Sequence, residues 1–104
     1  MYEFTSDAKQ YLVNNFRYAN DNNRECTVSV AFEANQYAIT YDFSATNETL
    51  SVYRYCYDNS QVPIFIKTYS QAPSVFTIWT DTDALFIAEL IKLITFNRLN
   101  AVLR

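Results

Sequence analysis

The chain has 104 residues and a formal net charge of −3, and it contains no glycine, no histidine, 2 cysteines and 9 tyrosines. Average usage would supply about seven glycines in a hundred residues, so their absence removes Gly-rich phosphate loops, dinucleotide fingerprints and nucleophile elbows. Without histidine there is no Ser-His-Asp triad, no Cys-His dyad and no imidazole metal ligand, so neither catalysis nor a cofactor or metal is expected.

Half of the residues are hydrophobic by type and only 18% are charged, a globular composition with room for a single α+β domain over residues 1–104. The mild acidity opposes binding to a phosphate backbone, and its carboxylates are too dispersed to imitate a duplex. The start, Met1-Tyr2-Glu3-Phe4-Thr5, has neither a basic n-region nor an apolar h-region, so a cleaved signal is not expected. The apolar stretch Ala84 to Phe96 is interrupted by Glu89 and Lys92 and is too short for a membrane span. A soluble cytoplasmic protein is expected, in the host cytoplasm if virus-encoded.

In chain order, Ser6 to Ala19 predicts a helix capped by Thr5 or Ser6, with Ala8, Leu12, Phe16 and Ala19 on one face. Asn20 to Asn23 ends it. From Cys26 the pattern alternates, with Cys26, Val28, Val30 and Phe32 opposite Thr27, Ser29, Ala31 and Glu33, the mark of a half-buried strand. A loop at Ala34-Asn35-Gln36 leads to a second strand carrying Tyr37, Ile39, Tyr41 and Phe43 on one face. A third, near Leu50 to Tyr57, places Leu50, Val52, Arg54 and Cys56 opposite Tyr53, Tyr55 and Tyr57. A fourth spans Val62 to Tyr69 with Pro63 at its start, where a missing amide donor does least harm, and a fifth spans Val75 to Trp79. Asp81 or Thr82 then caps a long helix from about Asp83 to Leu99.

Asn23, Asn35, Asn47 and Asn59 recur every twelve residues, with Gln71 next. Asparagine is the best substitute for glycine at φ > 0, so these positions are expected to make the turns of a meander. The predicted fold is α+β: an N-terminal helix, an antiparallel meander sheet of about five strands and a long C-terminal helix, with both helices on one sheet face. The expected core is Leu12, Phe16, Val28, Val30, Phe32, Ile39, Phe43, Leu50, Val52, Ile64, Ile66, Phe76, Ile78, Ile87, Leu90, Ile91 and Ile94.

Cys26 and Cys56 are expected two strands apart at opposite ends of the sheet, beyond disulfide reach, and so as free thiols. Tyr53, Tyr55 and Tyr57, joined by Tyr69 and Trp79, form a ladder that reads either as a partner-binding face or as rings that stabilise an exposed sheet face. With Arg54, Lys67, Arg24 and Arg17 the same stripe could stack single-stranded bases, although the net charge has the wrong sign. On the last helix, Leu85, Phe96, Leu99 and Leu103 lie nearly opposite the core-facing stripe, a second apolar face for an oligomer or partner. Asp81 and Asp83 read as helix caps rather than a metal pair, and Asn47-Glu48-Thr49 as turn chemistry rather than a glycosylation site.

These readings predict a non-enzymatic protein-protein interaction module. Its size, acidity and lack of cofactor are typical of small inhibitors and immunity or anti-defence proteins of phage or mobile-element type, which block a host or defence enzyme; this is an analogy of class. The alternatives are a single-stranded nucleic-acid binder using the sheet tyrosines, and a self-assembling subunit, with a homodimer as its simplest form. No membrane partner is expected.

Overall fold

A computed structural model of the chain describes residues 3–42, 48–68 and 71–103, with 96–103 as backbone alone. Helix α1 (Ser6–Asp21) starts where the Thr5 hydroxyl accepts the Ala8 amide at 3.1 Å, so Thr5 is its N-cap. It ends in a Schellman arrangement: the Arg24 amide bonds the Ala19 carbonyl, the Asn23 amide bonds that of Asn20, and Asn23 takes φ 52°. Asparagine here holds the left-handed position that glycine usually fills.

Five strands follow, β1 (Glu25–Phe32), β2 (Asn35–Asp42), β3 (Thr49–Tyr55), β4 (Gln61–Thr68) and β5 (Ser74–Val75), before helix α2 (Asp81–Leu103). They pair antiparallel in sequential order, so the expected helix–meander–helix fold is the one observed.

The register explains the core. Val28, Ile39, Val52 and Phe65 form one row across four strands, and all four are buried. One side of it lies the row Cys26, Tyr41, Leu50 and Lys67; on the other lies Val30, Tyr37, Arg54 and Val62. The helices cover this face with Leu12, Phe16 and Ala19 from α1 and Phe86, Ile87, Leu90, Leu93 and Ile94 from α2. Phe86 is the aromatic centre: Phe4 and Phe32 meet it edge-on at 5.6 and 5.4 Å between ring centroids, and Tyr37 stacks on it at 3.9 Å.

Several expectations need correction. The first hairpin turns at Glu33-Ala34, with Phe32 opposite Asn35, so Asn35 belongs to β2 and Glu33 takes the positive φ of 54°. Asn59 does take positive φ, at 65°, whereas Gln71 does not; Asn47 and Phe43 lie outside the described residues. In β4 a bulge opposite Val52 and Tyr53 inserts Ile64, so Ile64 and Phe65 are both buried and the alternation flips. Ile66 consequently falls on the outer face, opposite Ser51, and is half-buried. Strand β5 has only two residues, and a turn closed by the Trp79 amide on the Phe76 carbonyl replaces its expected continuation. Phe76 is therefore half-buried and Ile78 exposed, and Ile91 is exposed on α2. Thr80, rather than Asp81 or Thr82, caps α2: its hydroxyl accepts the Asp83 amide while the Asp83 carboxylate accepts its own, a reciprocal capping box.

Candidate docking surfaces

The outer sheet face, turned away from the helices, carries Thr27, Ser29, Thr40, Ser51, Tyr53 and Tyr55. Tyr53 and Tyr55 are half-buried on it. The Tyr55 hydroxyl lies 3.4 Å from the Ser29 hydroxyl, so the phenol crosses β2 to reach β1. Ala38, whose register neighbours are Ser29 and Tyr53, is covered although it lies on this face. These two rings thus lie along the sheet and shield it. Tyr57 sits beyond β3 in the turn to β4, fully exposed, and Tyr69 lies outside the described residues. Trp79 does not join the ladder: it packs against the core cluster with its indole N–H donating to the Ile64 carbonyl.

The four cations considered with the tyrosines are also elsewhere. Arg54 is in a core-side row, and Lys67, opposite Leu50, donates to the Gln71 carbonyl. Arg24 lies over the Tyr18 ring, and Arg17 faces α2 across a cleft. That cleft, about 810 Å³ and open, runs between α1 and α2 and is lined by Lys9, Val13, Arg17, Lys92 and Leu93, with Glu89 paired to Lys92 at 3.0 Å.

Arg54 instead builds a buried node. Its Nε donates to both oxygens of Asp83 at 3.1 Å, and its Nη2 to the Ile78 carbonyl at 3.2 Å. The Tyr37 hydroxyl donates to Asp83 at 2.8 Å and accepts from Asn35 Nδ2. Asp83 is fully buried, yet its carboxylate is satisfied by Tyr37 on β2, Arg54 on β3 and the Thr80 amide just before α2. Burial holds the Tyr37 phenol well above its usual pKa; the Asn35 donor opposes this, and the Asp83 carboxylate adds to it. The node was foreshadowed by an arginine among apolar neighbours on β3, which requires a carboxylate partner.

Exposed apolar side chains are unevenly distributed. Among the described residues the large exposed ones are Tyr11, Tyr18 and Tyr57, which keep a polar tip, and Val75, Ile78, Leu85 and Ile91, at 38 to 55% exposure. In the chain all four aliphatics fall between β5 and the first half of α2. Of these Ile91 lines a cleft of about 340 Å³ with Leu50, Phe65, Pro73 and Ile94, and with Tyr41, Glu48 and Lys67. The Tyr41 hydroxyl donates to Glu48 there. Val75 extends the central core row one strand further, to an edge that no further strand covers.

Of the predicted helix stripe, Leu85 is exposed, one turn before Glu89 and so away from this flank; the side chains of Phe96, Leu99 and Leu103 lie outside the described residues. Val75, Ile78 and Ile91 were missed as surface residues. The signal for Ile91 is its angle: it follows Leu90 by about 100° and falls at the margin of the buried stripe.

Both cysteines are free thiols, and burial pushes the Cys26 thiol up from its usual range. Among the described residues no three Cys, Asp or Glu side chains gather as a metal site would need, and no helix is long and apolar enough to cross a membrane. No family model matches the chain, and no curated protein and no solved structure matches it.

Proposed function

We propose that this protein is a non-enzymatic module that docks on another protein through the flank formed by β5, the adjoining cleft and α2. The observation that carries the reading is exposed Val75, at the uncovered end of the central core row, together with exposed Ile91, which lines an apolar cleft with Leu50, Phe65, Pro73 and Ile94. Scattered apolar residues are ordinary on a surface, whereas apolar residues exposed at a concave apolar cleft are what a partner covers. The outer face offers less, because Tyr53 and Tyr55 are half-buried and a base-stacking surface would need cations beside them.

The small-inhibitor class, acting in the cytoplasm on a host or defence enzyme, remains the analogy that fits size and charge. Affinity capture from the native host tests the docking reading. The wild type should retain a protein that Val75→Glu with Ile91→Glu loses and that Tyr55→Ala with Tyr57→Ala keeps. Loss by the tyrosine pair alone would move the site to the sheet, and capture unaffected by either pair would refute both.

A further inference from the structure

The sheet has a second free edge, and the hairpin geometry defines its hydrogen-bonding groups. A two-residue loop leaves its flanking residues, Phe32 and Asn35, as the pair that exchanges both hydrogen bonds. Alternation down the register makes Val30–Tyr37, Val28–Ile39 and Cys26–Tyr41 the further bonded pairs. The N–H and C=O groups of Glu25, Thr27, Ser29 and Ala31 therefore point away from β2. Strand β1 is at the end of the sheet, and among the described residues no backbone hydrogen bond of a turn or loop reaches it.

Natural edges are blunted by proline, lysine, bulges or inward charges. Strand β1 has none of these: it pairs with β2 over eight residues without a register shift, and its only charge is the terminal Glu25. On α1, Tyr11 and Tyr18, seven residues apart, share the flank opposite the one that Val13 and Arg17 turn toward α2. They are 45 and 60% exposed. The Arg24 guanidinium, 6.0 Å from the centre of the Tyr18 ring, belongs to the residue that leads into β1, which places this flank over the β1 edge.

We propose that β1 pairs antiparallel with β1 of a second copy about a two-fold axis at Val28, joining the two sheets into one. In this register Glu25 faces Ala31 of the partner subunit and Thr27 faces Ser29 of the partner subunit, each pair exchanging two hydrogen bonds. The strand is complementary to itself: its even positions are apolar on the helix side and its odd positions outward on the other, so a two-fold keeps each face continuous. Moving the axis to Ser29 would set Glu25 against Glu33 of the partner subunit, two like charges facing each other, whereas the axis at Val28 uses all four outward positions without such a pair. Tyr11 and Tyr18 of both copies then meet above the joined strands, where large rings with polar tips suit an interface. This edge lies across the sheet from the aliphatic flank, so the pairing does not rest on the docking reading.

Sedimentation equilibrium of the full chain over increasing concentration tests the pairing. The wild-type mass should climb from 12.1 kDa toward twice that value, and Ile91→Glu should behave identically. Thr27→Arg with Ser29→Arg, two exposed outer-face positions, should hold the monomer mass throughout with an unchanged circular dichroism spectrum. In the unmodified chain, hydrogen exchange at the Thr27 and Ser29 amides should slow by at least about tenfold as the dimer forms. A wild-type mass that never rises, a dimer that survives the double arginine substitution, or Thr27 and Ser29 amides indifferent to concentration would overturn the proposal.

Discussion

Asp83 carries more of the architecture than any other charged residue described. It is the third residue of α2 and closes the helix's capping box, and it is the acceptor for Tyr37 and the ion-pair partner of Arg54, which is itself only 18% exposed. A buried pair adds modest net stability, but removing one partner strands the other charge at a cost of about 3–5 kcal/mol. Asp83→Asn, which keeps the shape but loses the charge, should destabilise by about 3 kcal/mol in urea denaturation. Adding Arg54→Met should recover part of that loss; singles that cost nothing would show the node to be dispensable. Tyr37 gives a pH prediction with a definite sign. Its pKa is raised from the model-compound value of 10.0 by burial first, so above pH 10 the unfolded chain releases this proton while the folded one keeps it. The contribution is constant below that value, and stability falls as pH rises beyond it. Denaturation at pH 9 and pH 11 should show a steeper fall for the wild type than for Tyr37→Phe; equal slopes would mean that the phenol is not protected.

At the scale of elements, alternation along β1, β2 and β3 and the helical stripe of α1 were readable because each reports one face of one segment. Features that depend on what lies opposite were not. The β4 bulge moves Ile66 outward and Phe65 inward, and it arises from pairing with β3, which no spacing within β4 encodes. Strand β5 stops after two residues, although Phe76 and Ile78 continue a strand-like alternation; the structure assigns those residues to a turn that brings Ile78's carbonyl to Arg54. The asparagine rhythm located Asn23 and Asn59 but missed the first hairpin by two residues. There Glu33 takes positive φ at the first of two loop positions, with Ala34 not sharing it, the pattern of a II′ turn that ordinarily uses glycine. A residue with a Cβ costs about 1–2 kcal/mol in left-handed backbone, part of which glycine returns as unfolded-chain entropy. Glu33→Gly should therefore raise stability by about 0.5–1 kcal/mol in thermal or urea unfolding. Asn35→Gly, within β2 and at the cost of a donor to Tyr37, should lower it. The reverse order would return the turn to Asn35.

At the scale of the whole molecule, the sheet separates two kinds of surface. Its outer face carries Thr27, Ser29, Thr40 and Ser51 beside half-buried Tyr53 and Tyr55, the two rings that shield part of the sheet. The helix-covered face runs out of cover at β5, where the central core row ends in exposed Val75 and α2 adds Ile91. That boundary was hidden in the sequence because an apolar residue at the margin of a core reads the same as one at its centre. Single alanine substitutions separate this docking flank from the sheet, since only the few residues seated at the centre of an interface weaken binding strongly. The most direct measurement is the dissociation constant for the captured partner, by calorimetry, with Ile91→Ala and with Tyr55→Ala. A loss of about tenfold or more for Ile91→Ala with Tyr55→Ala near wild type is predicted; full affinity for Ile91→Ala and a loss at Tyr55→Ala would contradict the account.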